Sequence, residues 1–222
     1  MERLANKIAD KIALELAYPD ERRQVLAYGL IAMLQTVLMT AIVLIAGALL
    51  NIFIESAILC FAVAILRKYS GGAHARSIAS CTIVGVMFCI GFGFAMKSLG
   101  RVEITPVVLI IISVLTFSYA LYIAIRKAPV DSLNKPIRTE KKRKNMKRAT
   151  IVLISLYMVV SAILIFYLNR SAVFVSALFC LLLSVIWQMS SLTNPGKRFL
   201  ENMDRLIYGI ITWKGGHSNE KD

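Results

Sequence analysis

Hydrophobic and polar positions alternate along this chain in long blocks. Apolar runs occupy 25–50, 52–66, 77–99, 104–125, 149–168 and 171–193. Uninterrupted apolar stretches of about 18 residues or more cross a bilayer as helices. The run at 52–66 is short and carries Glu55, so it is read as an oblique or part-way span. Two flanking segments follow a different rule. Leu4, Ile8, Ile12 and Leu16 recur at four-residue steps with charges between them, the pattern of an amphipathic helix on a membrane surface or on the end of a bundle. Pro19-Asp20 breaks that helix before the first span. At the other end Asn194-Pro195-Gly196 closes the last run, and Phe199, Met203, Leu206, Ile207 and Ile210 follow at helical spacing, predicting a second interfacial helix. The pattern predicts an all-α polytopic membrane protein of about six transmembrane helices with an N-terminal amphipathic helix. It forms a single integral membrane domain over 1–222, with an interfacial helix at 1–23, a six-span core at 25–193 and a cytoplasmic tail at 194–222.

Composition agrees, since 58% hydrophobic residues and a mean hydropathy of +0.69 exceed what an ordinary soluble domain carries. The net charge of +13 invites a nucleic-acid reading, but its distribution argues against one. Between Arg126 and Arg148 ten Lys or Arg face only Asp131 and Glu140, a local net of +8, whereas 1–23 balances five basic against five acidic residues. One basic connection between spans is the mark of a cytoplasmic loop, and no base-stacking aromatics accompany it. With 126–148 inside, six spans place both termini and the loop at 67–76 in the cytoplasm. The run Lys141–Lys144 is suited to anionic membrane lipid and to an acidic peptide. Residues 1–23 lack the apolar core and small-residue cleavage site of a signal peptide.

Polar residues inside the spans fall into two kinds. Scattered Ser and Thr, with Gly85, Gly91 and Gly93 on the third span, suit close helix packing in lipid; such small-residue faces also suit a homodimer. Glu55 is different, because an intramembrane carboxylate is costly and by default functional unless it snorkels to water. Cys60, Cys81, Cys89 and Cys180 show no paired spacing, which leaves zinc, thioredoxin-type and disulfide-scaffold readings without support.

The segment Arg67-Lys68-Tyr69-Ser70-Gly71-Gly72-Ala73-His74 carries the candidate chemistry, with Cys81 seven residues on. His74 is the sole histidine outside the C-terminal tail. A neutral imidazole beside a thiol is the minimum needed to form a thiolate at neutral pH. On one straight helix the two positions would stand about 10.5 Å apart along the axis, too far for proton transfer. The chain must therefore bend between them, and Gly71-Gly72 supplies the freedom. A helix N-terminus at Cys81 would favour a thiolate and a tetrahedral oxyanion, with N–H groups around Ser77–Ser80 as candidate donors. A second segment, Ala128-Pro129-Val130-Asp131-Ser132-Leu133-Asn134-Lys135-Pro136-Ile137, reads as an ordered non-helical loop.

These two segments, in this order and in a six-span frame, resemble the signatures of the accessory gene regulator B family of bacteria over roughly residues 1–193. The resemblance implies a membrane cysteine endopeptidase that matures a quorum-sensing peptide. Cys81 would attack a short autoinducer precursor as nucleophile, with His74 as base and then acid. A thioester on Cys81 would yield to a cysteine or serine of the precursor and close a thiolactone or lactone. Arg67, Lys68, Ser70, Gly71, Gly72, Asp131, Asn134 and Lys135, as motif residues, are the implied contacts for the precursor. Ser70, Asp131 and Asn134 are each candidates to orient His74. No metal or other cofactor is implied. Two competing readings are a small transporter or peptide exporter whose path Glu55 lines, and a scaffold that presents loop 126–148 to lipid or a partner.

Overall fold

The computed structural model describes residues 2–72, 78–130, 139–167 and 171–216. Eight α-helices occur among them: α1 (Glu2–Glu15), α2 (Asp20–Leu49), α3 (Phe53–Ser70), α4 (Ile78–Leu99), α5 (Pro106–Lys127), α6 (Glu140–Phe166), α7 (Ala172–Ser190) and α8 (Asn194–Gly216). The protein is all-α and multi-pass. The six expected apolar runs are α2 to α7. Five of the helices, α2 and α4 to α7, are long and apolar enough to cross a membrane. α3 differs in carrying Glu55, Arg67 and Lys68 within its 18 residues. At about 27 Å it is a full-length helix, and it extends four residues past the apolar run that predicts it.

α1 is amphipathic in a way that joins the two roles expected of it. Its small face, Ala5, Ala9 and Ala13, is buried, and the helix packs on α2. Arg23 at the start of α2 pairs with Asp10 of α1 and with Asp20, the latter at 3.1 Å. Leu4 and Leu14 of α1 stay exposed, as does Leu16 just past its end, as on a helix that also meets a bilayer surface.

The helix predicted by the shortest apolar run lies inside the bundle. α3 packs against α2, α4, α6 and α7, and Leu59, Cys60, Ala62 and Leu66 supply its share of the core. α3 and α7 run parallel, since the start of α3 meets the start of α7 and their ends also meet. At the starts, the Ser176 hydroxyl donates to Glu55 Oε1 at 3.0 Å. Midway along α3, the Tyr157 hydroxyl of α6 donates to the Ala62 carbonyl at 3.2 Å. At the ends, Gln188 of α7 reaches Ser70 of α3 at 2.9 Å. Glu55 is 5% exposed and stands third in α3, where the free N–H groups and positive pole of the helix favour a carboxylate. It is a packed tie between helices. Close approach follows residue by residue on α4: a Cβ at Gly93 would stand 3.2 Å from Ile52 Cδ1, whereas Gly91 has open space beside it.

A double-mutant cycle on Ser176→Ala and Glu55→Gln tests the tie. Each single change should lower the unfolding midpoint in detergent, and the coupling energy should be about 1 kcal/mol, in the range of hydrogen bonds between membrane helices. Strict additivity would show that the pair is not a unit.

Candidate active site

The C-terminal end of α3 is built to stop a helix and turn the chain. Arg67 and Lys68 stand in its last turn, where cations offset the negative pole. The Gly71 N–H closes on the Arg67 carbonyl at 3.0 Å. Gly71 then takes φ +70°, ψ −149° and Gly72 takes φ +137°, regions that L side chains rarely enter. Space is as restrictive as torsion at Gly71, where a Cβ would overlap the Val130 carbonyl oxygen.

Val130 is there because the two sequence motifs meet. The Val130 N–H donates to the Ser70 carbonyl at 3.0 Å, and Gly71 and Val130 form an isolated parallel bridge. Ala128 and Pro129, joined by a cis peptide bond, precede it. A segment after α3 and a segment after α5 are thus one main-chain unit. Asp131, the next residue, and Asn134 and Lys135 beyond it lie outside the described residues, as does His74.

A third segment, which the sequence reading passed over, completes the unit. Gln188 near the end of α7 is 1% exposed. Its Nε2 donates to Ser70 Oγ at 2.9 Å and to the Gly71 carbonyl at 2.8 Å. Ser191 donates to the Gln188 carbonyl at 2.7 Å, and its Oγ would be 3.1 Å from a Cβ on Gly72. The signal was present: a lone amide within the apolar run 171–193 is expensive in lipid and has to be used. Ser70 itself is fully buried, and its hydroxyl, 3.3 Å from the Gly71 carbonyl as donor, is committed to the turn.

Cys81 is the fourth residue of α4, nine residues past Gly72 in the chain. It is half-buried, while Cys60, Cys89 and Cys180 are buried, and all four are free thiols. The first turns of α4 are held to α2 by a bond from Gln35 Nε2 to Thr82 Oγ1 at 3.4 Å. Beside the site, at the elbow of α7 and α8, Trp187, Ser191, Pro195, Phe199 and Leu200 line an apolar groove of about 280 Å³. Among the described residues no three His, Cys, Asp or Glu are grouped to hold a metal ion. The described residues offer a half-buried thiol near the start of α4 and, at the end of α3, a glycine turn tied to the second motif.

The family model described as Accessory gene regulator B matches residues 5–192. Two curated proteins of Clostridium perfringens, both named as AgrB-like, are similar along almost their whole length. The one from strain SM101 is 36% identical over 214 residues and the one from strain 13 is 34% identical over 213, each alignment covering 95% of this chain and 100% of the relative. No solved structure matches.

Gly71→Ala should destabilise the protein by roughly 2 kcal/mol or more, from a forbidden torsion and an overlap with Val130. Gly29→Ala, with nothing within 4 Å of its Cβ, should be neutral or slightly stabilising, because alanine is the better helix former. Thermal midpoints in detergent compare the two; equal midpoints would contradict the tight turn.

Proposed function

The chain belongs to the accessory gene regulator B family, whose members take part in processing autoinducer precursors, and from that premise we propose that it is a membrane cysteine endopeptidase acting through Cys81. The Cys81 thiol gives its proton to His74, and the thiolate attacks the carbonyl carbon of one peptide bond in a short precursor. The tetrahedral oxyanion collapses as the C–N bond breaks. His74 returns the proton to the departing amine, releasing the C-terminal segment. The remaining peptide is held as a thioester on Cys81. An internal cysteine or serine of the precursor then displaces Cys81, closing a thiolactone or lactone and regenerating the thiol.

One observation supports this reading above the others. The two family motifs, far apart in sequence, are joined by the Ser70–Val130 bond at the end of the bundle where the Cys81 helix begins. A site at the edge of a membrane also keeps water from a thioester, which favours cyclisation over hydrolysis. The basic segment 126–148 supports a cytoplasmic position for this end, where a ribosomal product is met. Arg67, Lys68 and the Lys141–Lys144 run attract an acidic precursor tail, and the apolar groove at the elbow of α7 and α8 suits its apolar residues. A transport path lined by Glu55 has no support, since that carboxylate is packed against Ser176.

Reconstitution with the co-encoded precursor, read by mass spectrometry, tests the proposal. Wild type should release the C-terminal segment and carry a peptide adduct on Cys81. Cys81→Ala should abolish both products, and His74→Ala should slow both by about 10²-fold or more. Release that persists in Cys81→Ala would refute the thioester route.

A further inference from the structure

Gln188 stands in an apolar helix with half of its amide idle. Oε1 is buried with no hydrogen-bond partner, while Nε2 donates twice. An unpaired carbonyl oxygen in such a place costs more than a Met or Leu of similar size would. The two donated bonds are what the amide offers that an apolar side chain cannot. They end on Ser70 Oγ and the Gly71 carbonyl, at the point where α3 gives way to two successive glycines with positive φ. Glycine pairs leave the direction of a chain loosely set by torsion alone, so that direction has to be fixed from outside. The Val130 N–H fixes the Ser70 carbonyl, and Gln188 fixes the next carbonyl and the Ser70 hydroxyl. Ser191, bonded to the Gln188 carbonyl, closes the space over Gly72. His74 is two residues further along the chain.

We infer that Gln188 is a positioning residue: by clamping Ser70 and Gly71 it sets the direction in which the chain leaves Gly72, and so the alignment of His74 with Cys81. The inference rests on the reading that His74 and Cys81 perform the chemistry. It assigns Gln188 no contact with the precursor. Misalignment of reacting groups by about 1 Å costs on the order of 10²-fold in rate, whereas binding of a peptide that does not touch Gln188 is left nearly intact.

Gln188→Met keeps the volume and removes both donors. Cleavage by this variant should show kcat reduced about 10²-fold with KM for the precursor within about twofold of wild type. The iodoacetamide concentration at the midpoint of Cys81 alkylation in a fixed time at pH 7, followed at that peptide by mass spectrometry, should rise, because the thiolate is the reacting form and a thiol without its partner forms less of it. Ser176→Ala breaks the tie at the far end of the same helix pair and serves as the control. It should lower the unfolding midpoint and leave kcat and the alkylation midpoint unchanged. If Gln188→Met does not fold, Ser70→Ala removes one of the two acceptors and should move kcat and the midpoint in the same direction by less.

An unchanged kcat and alkylation midpoint in a folded Gln188→Met would overturn the inference. So would an equal kinetic loss in Ser176→Ala. The alkylation experiment uses no precursor. Failure of wild type to cleave therefore counts against the peptidase reading, while a shifted midpoint in Gln188→Met would still show that Gln188 acts on Cys81.

Discussion

In lipid, apolar helices gain nothing by hiding from water, and the register of a bundle falls to close packing and the few polar bonds within it. In this protein those bonds gather on the parallel pair α3 and α7. Glu55 and Ser176 join one end, Gln188 with Ser70 and Gly71 joins the other, and Tyr157 braces the middle from α6. Every other part of the site is hung from this pair. The turn after α3 receives Val130 from the end of α5, and the same turn leads to the start of α4 and Cys81. A sliding of α3 against α7 by one residue, about 1.5 Å, would break both end ties at once and shift the turn relative to the thiol.

The two ends of the pair use different chemistry for different ends. At the start of the pair a carboxylate is placed where helix geometry already favours negative charge, and one hydroxyl completes it. At the end of the pair a neutral amide holds a main-chain carbonyl of the turn.

The spans were legible because a membrane helix announces itself by length and apolarity, and α2 and α4 to α7 do so without tertiary help. The run at 52–66 was read as marginal because it is short and carries Glu55. Its central place depends on a partner for Glu55, and sequence periodicity cannot name Ser176 at a separation of 121 residues. α1 shows a related limit. Its pattern of large apolar residues was plain, but the face that packs is the run Ala5, Ala9, Ala13, small residues that a hydrophobic pattern discounts. In the site, the residues that carry chemical type, His74 and Cys81, stood out from the sequence and from the family resemblance. Gln188 did not, because an amide advertises no reaction, and its value lies wholly in what it touches.

The bond between the two motifs runs from an N–H at one position to a carbonyl at the other, with a glycine packed against it. Its two ends are therefore open to substitution to very different degrees. Position 71 has an alphabet of one letter, because torsion and the Val130 oxygen both exclude any Cβ. Position 130 contributes main chain alone to the bond and a partly buried apolar side chain to the core, so its alphabet includes many apolar residues and excludes proline, which lacks the N–H. Recombining the first motif of one such protein with the second motif of another should therefore preserve this junction, whatever apolar residue the second motif brings.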